Sequence, residues 1–417
     1  MSESVLASIR KPLKIEKIET FPVLYPTVMR FKFFEGPRGT GRPAVLIKIT
    51  ADDGTVGWGE SVPVPRWSYE TLEGATSAID LYLKPVLLGK DPFDLKGIHE
   101  TMDKEIATSF STGAPITKAG IDLALHDLIG HASGLNVADL WGRKTGDDVL
   151  LSWTLNPKTL DDLEPLIDKG LERGFENFNV KVAPDPEFDL AMCKIVKEKV
   201  PDGFLWCDAN GGYDLHTALD VAPKLADVGV PVLEQPLKSN RLTGYQELKK
   251  QGALPIIMDE GVVSPSDLIE FLRLGCCDGV AMKPARCGGL VSSVQQIEIL
   301  EDAGLMFLGS GLTDPDVSLA ASLILYSAYG LQYPAALNGP QFLGTSVIKE
   351  PFVPEKGRVR VPKGPGLGIE VDEEKVKELV EKSSGFRMDS IEVFGNGSER
   401  VNREAFSLHS VRDIHRG

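Results

Sequence analysis

Between Val149 and Gly311 one pattern recurs seven times: a short apolar run, a polar or glycine-containing turn, then a stretch of amphipathic, helix-like sequence. The runs are VLLSWTL, NFNVKVA, FLWCDAN, VLEQP, PIIMDE, GVAMKPA and MFLGSG. Runs this short, alternating with helices, are the mark of repeated βα units and a parallel sheet. A weaker eighth strand is expected near Pro334 to Leu337. Seven or eight units in about 200 residues suit a closed (β/α) barrel. An open doubly wound sheet is disfavoured because no GxGxxG turn follows the first strand.

The segment before the barrel has a different texture. LKIEKIETFPVLYP, AVLIKIT and VGWGESVP, with the turn Asp52-Asp53-Gly54, read as a small antiparallel meander. Helices are expected over Tyr69 to Leu88, Leu95 to Ala107 and Thr117 to Gly134, the last with Ile121, Leu125, Leu128 and Ile129 at helical spacing. The chain therefore divides into an α+β unit over 13–145 and a barrel over 149–350. A Pro/Gly-rich segment over 351–383, ending in a charged helix from Glu373 to Lys382, is expected to return to the first unit. A polar tail, either poorly ordered or an interaction segment, is expected over 384–417.

A net charge of -15 argues against nucleic-acid or anionic-lipid partners. No stretch approaches the roughly 20 apolar residues that cross a bilayer, and Met1 to Lys14 lacks a signal-peptide core, so a cytoplasmic location is expected. The five cysteines, Cys193, Cys207, Cys276, Cys277 and Cys287, are an odd set without CxxC spacing, and read as buried small hydrophobes.

Charged residues inside apolar strands are costly and therefore informative. Lys181, Asp208, Glu234, Asp259 and Lys283 follow one another at intervals of 27, 26, 25 and 24 residues, the length of one βα unit. That spacing places all five at one height, at the C-terminal ends of successive strands, where barrel enzymes gather catalytic groups. Taken singly, a strand-end carboxylate reads as a cap or a salt-bridge partner, and the lysines read as counter-ions. As an evenly spaced set they read as a metal site between two bases. Three adjacent carboxylates repel unless a cation joins them, and an all-oxygen set without histidine suits Mg²⁺, with Mn²⁺ as a substitute, over zinc. A lysine beside such a cation is pushed toward its neutral form and serves as a general base. The chemistry expected is abstraction of a proton α to a carboxylate, giving an enediolate held by the metal.

These residues, with DDGTVGWGE, AGIDLALHDLIGHASG before LWG, WCDAN, LEQP, MDE, MKPARCGGL and GPGLGIEV, resemble the enolase superfamily, in its muconate lactonizing enzyme subgroup. The resemblance runs from Leu13 to Val380. It implies a modified TIM barrel, (β/α)₇β, with an α+β capping domain built from both ends of the chain. It also implies Asp208, Glu234 and Asp259 as Mg²⁺ ligands, and Lys181 and Lys283 as the acid/base pair. A lysine at 283 argues against the mandelate racemase subgroup.

Two departures bear on substrate. The subgroup's Lys-x-Lys reads Asn179-Val180-Lys181 here, and its acidic residues before the last Gly-Pro are replaced by Ala336-Leu337-Asn338. Specificity is expected from capping loops at Phe33 to Arg42, with Phe34 and Arg38, and at Val62 to Tyr69. Asn179, Asn210, Arg66, Trp67, Ser310 and Asn338 are the candidate substrate contacts, with Arg66 and Trp67 reading a carboxylate and a ring. Asp314 reads either as part of the pocket or as a cap of the next helix. The leading expectation is epimerisation or β-elimination of a small amino-acid or hydroxyproline-like carboxylate by a homo-oligomer. The alternatives are a muconate-type cycloisomerase and, from another class, a non-catalytic binding protein on the same fold.

Overall fold

The computed structural model describes residues 12–34, 41–109 and 111–389. Arg38 and residues 390–417 lie outside them. Strands β1 (Ile15–Pro26), β2 (Gly41–Ala51) and β3 (Val56–Ser61) form the expected antiparallel meander. The helix Pro115–Ser133 lies directly on β3, and glycine permits the approach. A Cβ at Gly59 would stand 2.0 Å from the carbonyl oxygen of Gly120, and one at Gly57 2.3 Å from that of Ala124. The first expected helix is broken by a π-helical turn at Ala78–Leu83, and the second runs over Leu95–Glu105.

The run VLLSWTL is split. Its first part falls in β4 (Asp148–Leu150), outside the barrel, and only its end, β5 (Trp153–Leu155), joins the barrel wall. The wall continues through β6 (Phe178–Lys181), β7 (Leu205–Asp208), β8 (Val232–Glu234), β9 (Ile256–Met258), β10 (Gly279–Met282) and β11 (Met306–Gly309). All neighbours are parallel and follow chain order. The weak eighth strand is two residues long: Ala336 bridges Ser310, and Ala335 bridges Leu151, which closes the wall. A late strand, β12 (Arg358–Arg360), pairs antiparallel with β4.

One layer of side chains fills the barrel centre: Trp206, Val232, Ile257, Ala281, Leu308 and Ala336, one from each successive strand. Side chains two apart on a strand share a face. The residues two positions further on are Asp208, Glu234, Asp259, Lys283, Ser310 and Asn338. The apolar plug of the barrel thus forms the floor of a polar layer at its C-terminal mouth.

The C-terminal helix, Glu373–Asp389, packs against β1, where Ser383 Oγ accepts the Leu24 N–H at 2.8 Å. It outruns its expected end at Lys382. The Ser-Ser-Gly sequence there suggests a break, yet both hydroxyls fold back onto carbonyls four residues earlier, Leu379 and Val380. All five cysteines are buried and free. Among the described residues no helix is long and apolar enough to cross a membrane.

Candidate active site

Lys181, Asp208 and Glu234 end β6, β7 and β8 and stand side by side in register. Asp259 and Lys283 each lie one residue past β9 and β10. Glu234 is level with Ile257, and Met258 with Val280, so these two advance by two residues per strand. The expectation of a single height therefore holds for the first three residues, and the stagger of a closing barrel carries the others forward.

The three carboxylates are almost fully buried, and one oxygen from each lies within 4.8 Å of the others. Lys181 is ion-paired with Asp208 Oδ2 and Lys283 with Asp259 Oδ2, while Arg286 takes the other oxygen of Asp259. Asn210 donates to Asp208 through its backbone N–H at 2.9 Å and its amide at 3.0 Å. Glu234 has no such support: both oxygens are buried without a hydrogen-bond partner. Burial and the repulsion of Asp208 and Asp259 push its carboxyl well above the usual carboxylate range. Burial works against ionised Asp208 as well, but Lys181 and Lys283 outweigh it and hold the carboxyl low.

A divalent cation fits this donor set. It would engage the otherwise unpartnered Glu234 carboxylate and cancel the mutual repulsion of three acids, and oxygen-only donors select a hard ion. The Lys181 ammonium, by contrast, holds its proton more tightly than usual: Asp208 and Glu234 outweigh the effect of burial. The expected drift toward the neutral form needs the acids to be neutralised first.

Above this layer lies a cavity lined by Lys181, Asn210, Lys283, Ser310 to Thr313, Ala336 and Asn338 from the barrel, and by Phe31, Phe33, Phe34, Val64 and Trp67 from the capping domain. Trp67 reaches the site as expected. Arg66 does not, because a turn in which the N–H groups of Trp67 and Ser68 bond the Val64 carbonyl directs Val64 and Trp67 inward and leaves Arg66 exposed. Asn179 is buried beneath Lys181, with both amide atoms unpartnered. Asn338 donates to Thr154 Oγ1 at 3.2 Å. Asp314 caps no helix. It accepts from Leu312 N–H at 3.1 Å and Ser322 Oγ at 3.3 Å, while the next helix starts at Asp316 without a side-chain cap.

Two matches to known families cover most of the chain: residues 29–142 match the mandelate racemase/muconate lactonizing enzyme N-terminal domain, and residues 163–375 match the enolase C-terminal domain-like family. The chain belongs to the enolase superfamily, in its muconate lactonizing enzyme-like subgroup. Chloromuconate cycloisomerase of Cupriavidus necator is 32% identical, and muconate cycloisomerase 1 of Rhodococcus opacus 30%; each alignment covers 88% of this chain and 98% of the relative. The structure of muconate lactonizing enzyme from Pseudomonas fluorescens complexed with muconolactone superposes with a TM-score of 0.82 at 28% identity, covering 88% of this chain and 100% of that one. Enolase-superfamily enzymes use a divalent metal, and with relatives named as cycloisomerases this chain is an isomerase or lyase of that superfamily.

Four residues that shape this enolase-superfamily site escaped the sequence reading. Gln235 accepts the Asp259 and Gly261 N–H groups at 2.8 and 3.2 Å and so fixes the backbone that carries Asp259. Its signal was its place inside LEQP. Arg286 lies three residues past Lys283 within MKPAR. Glu260 follows Asp259, and burial pushes its carboxyl up to about 8. Lys32, one residue before the loop singled out from sequence, lies in the electrostatic field of Asp208, Lys181 and Glu260.

Proposed function

We propose that this enzyme is a Mg²⁺-dependent cycloisomerase that closes a muconate-like unsaturated diacid into a lactone. The observation that carries the reading is the charge of the cavity wall. Among the described residues, the ionisable ones that line it are the lysines Lys181 and Lys283, and no carboxylate is among them. With the three acids beneath neutralised by a bound cation, the ammonium of an amino-acid or hydroxyproline-like substrate would meet like charge there, which disfavours the epimerase and β-elimination readings. A flat diacid meets cations below and the aromatic faces of Phe31, Phe33, Phe34 and Trp67 above. Relatives about 30% identical over nearly their whole length are named muconate and chloromuconate cycloisomerases, which supports the same choice.

Asp208, Glu234 and Asp259 would hold the Mg²⁺ ion, which when bound supplies positive charge opposite one substrate carboxylate. In the forward direction the far carboxylate oxygen adds to the conjugated chain, a C–O bond forms, and electron density moves to the carbon α to the other carboxylate. One lysine delivers its proton to that carbon, and in reverse the neutral amine takes the proton back. The lysine on the opposite face stays charged and steadies the carboxylate.

The test is to mix the enzyme with cis,cis-muconate in Mg²⁺ buffer and follow the diene absorbance. Rapid loss is expected, and Lys181→Ala and Lys283→Ala should each abolish it, together with exchange of the lactone α-hydrogen in D₂O. Unchanged exchange in both variants sinks the acid/base assignment. A silent wild-type enzyme sinks the substrate.

A further inference from the structure

The two lysines that line the cavity are already engaged: Lys181 with Asp208, and Lys283 with Asp259 and the face of Trp67. Arg286, the other buried cation here, is also held by Asp259. Asn179, beside Lys181 on the inner face of β6, is neutral and bonded to nothing. Each barrel cation is thus shared with an acid and Asn179 carries no charge, so among these groups none is a cation reserved for a substrate carboxylate.

Lys32 is different. It sits in a turn closed by the Phe34 N–H on the Phe31 carbonyl at 3.0 Å. The turn is pinned by aromatic packing, with the Phe31 ring 4.8 Å from that of Phe342 and 5.3 Å from that of Phe34. Val28 N–H bonds the Phe342 carbonyl at 2.8 Å, which ties the same stretch to the barrel end. Phe31, Phe33 and Phe34 line the cavity, and Lys32 sits in the turn between them. The side chain is half-buried, and its ammonium lies 5.1 Å from the Phe33 ring. Among the described residues no ion pair within 4 Å claims it, while Asp208, Glu260 and Asp189 attract it from further off and Lys181 repels it. A half-buried cation without an ion-pair partner is costly to keep. An anion arriving in the cavity would repay that cost.

We propose that Lys32, delivered by the capping turn, is the cation that binds a substrate carboxylate, supplying the charge that Asn179 does not. The site would then be complete only when the capping turn is seated on the barrel. The inference rests on the diacid reading above, but it concerns binding and is tested without turnover.

The probe is adipate, a saturated diacid that cannot cyclise, titrated calorimetrically into the Mg²⁺-loaded enzyme. Lys32→Met is expected to raise the adipate dissociation constant roughly tenfold or more, as loss of a charge-assisted hydrogen bond does, and to flatten its salt dependence. Lys32→Arg should stay within about threefold. Lys32→Met combined with Asn179→Lys places an ammonium beneath Lys181 and should recover most of the affinity. Unchanged affinity in Lys32→Met overturns the proposal, as does failure of wild type to bind adipate at millimolar levels. An equal loss in Lys32→Arg, or no recovery in a double variant with the wild-type melting temperature, also overturns it. If adipate binds as described while muconate is not turned over, the substrate reading fails and the role of Lys32 stands.

Discussion

The indole of Trp67, on the capping domain, lies over the ammonium of Lys283, on the barrel, with 4.7 Å between Nζ and the ring centroid. The contact joins the two domains at a candidate acid/base group. A desolvated cation–π contact is worth roughly 0.5–2 kcal/mol, or about 2- to 30-fold in a rate or binding constant. Trp67→Leu should lower kcat/KM on the lactonised diacid within that range and leave the melting temperature nearly unchanged, while Trp67→Phe should keep most of the activity. Paired kinetics and thermal melts decide it: wild-type kinetics in Trp67→Leu would remove Trp67 from the chemistry of Lys283.

The orphaned carboxylate of Glu234 makes the metal-free protein less stable than it need be. Glu234→Gln removes the repulsion by Asp208 and Asp259 at nearly constant volume, so without metal the variant should melt at or above the wild-type temperature. Added Mg²⁺ should reverse the order. An ion at a hundred times its dissociation constant stabilises wild type by about 2.7 kcal/mol, and the variant gains little. Melting curves in chelator and in millimolar Mg²⁺ measure both effects. Equal Mg²⁺ shifts in the two proteins would exclude Glu234 as a ligand.

The polar layer was legible in the sequence because its spacing is covalent: one βα unit separates each strand end from the next, whatever the helices do. The stagger that moves Asp259 and Lys283 forward was not, since it follows from the shear of a closed sheet and leaves the intervals unchanged. Arg66 and Trp67 show another limit. Both suit a pocket chemically, and only the hydrogen bonds onto the Val64 carbonyl decide which one faces in. Lys32 was missed for a related reason: its role depends on Phe31, packed on Phe34, docking against Phe342, more than 300 residues away in sequence. Charge substitution at position 179 was visible, but what faces it was not.

Arg42 joins three stretches of chain from a fully buried position. Its Nε donates to the Leu312 carbonyl at 2.7 Å, Nη1 to Pro43 and Pro63 at 2.6 and 2.9 Å, and Nη2 to Val62 at 2.7 Å. Leu312 belongs to the cavity wall, and Val62 and Pro63 lead to Val64 and Trp67, so this guanidinium sets the gap between roof and floor. Arg42→Met should cost about 2–4 kcal/mol, since buried carbonyls lose charged donors. Arg42→Lys, a point charge without the planar fork, should recover part of the stability and still raise KM. Denaturant midpoints and steady-state kinetics separate the two effects. Full retention of both in Arg42→Met would show that the four carbonyls find other donors.

Glu60 provides a pH dependence whose sign is fixed by its surroundings. Its carboxylate accepts from Tyr25 Oη at 2.9 Å and from Ser318 N–H at 3.1 Å, in the buried seam between β3 and the helix that follows β11. Burial pushes the carboxyl up to about 8, and hydrogen bonds from Ser318 and Tyr25 only partly offset it. The folded protein therefore keeps a proton that the unfolded chain releases near its ordinary value of 4.5. Between those values the native state binds more protons, so this group's contribution is fully present at low pH and is lost as pH rises toward 8. Glu60→Gln cannot titrate, and its amide can still donate to Tyr25 and accept from Ser318. Relative to wild type, its stability should improve steadily from about pH 4.5 to about pH 8 and level off above. Asp314 and Asp316 are also raised by burial, but they titrate in both proteins and largely cancel in the difference. Urea midpoints of the two proteins across that range are the measurement, and parallel curves would mean that Glu60 is already ionised in the folded state at neutral pH.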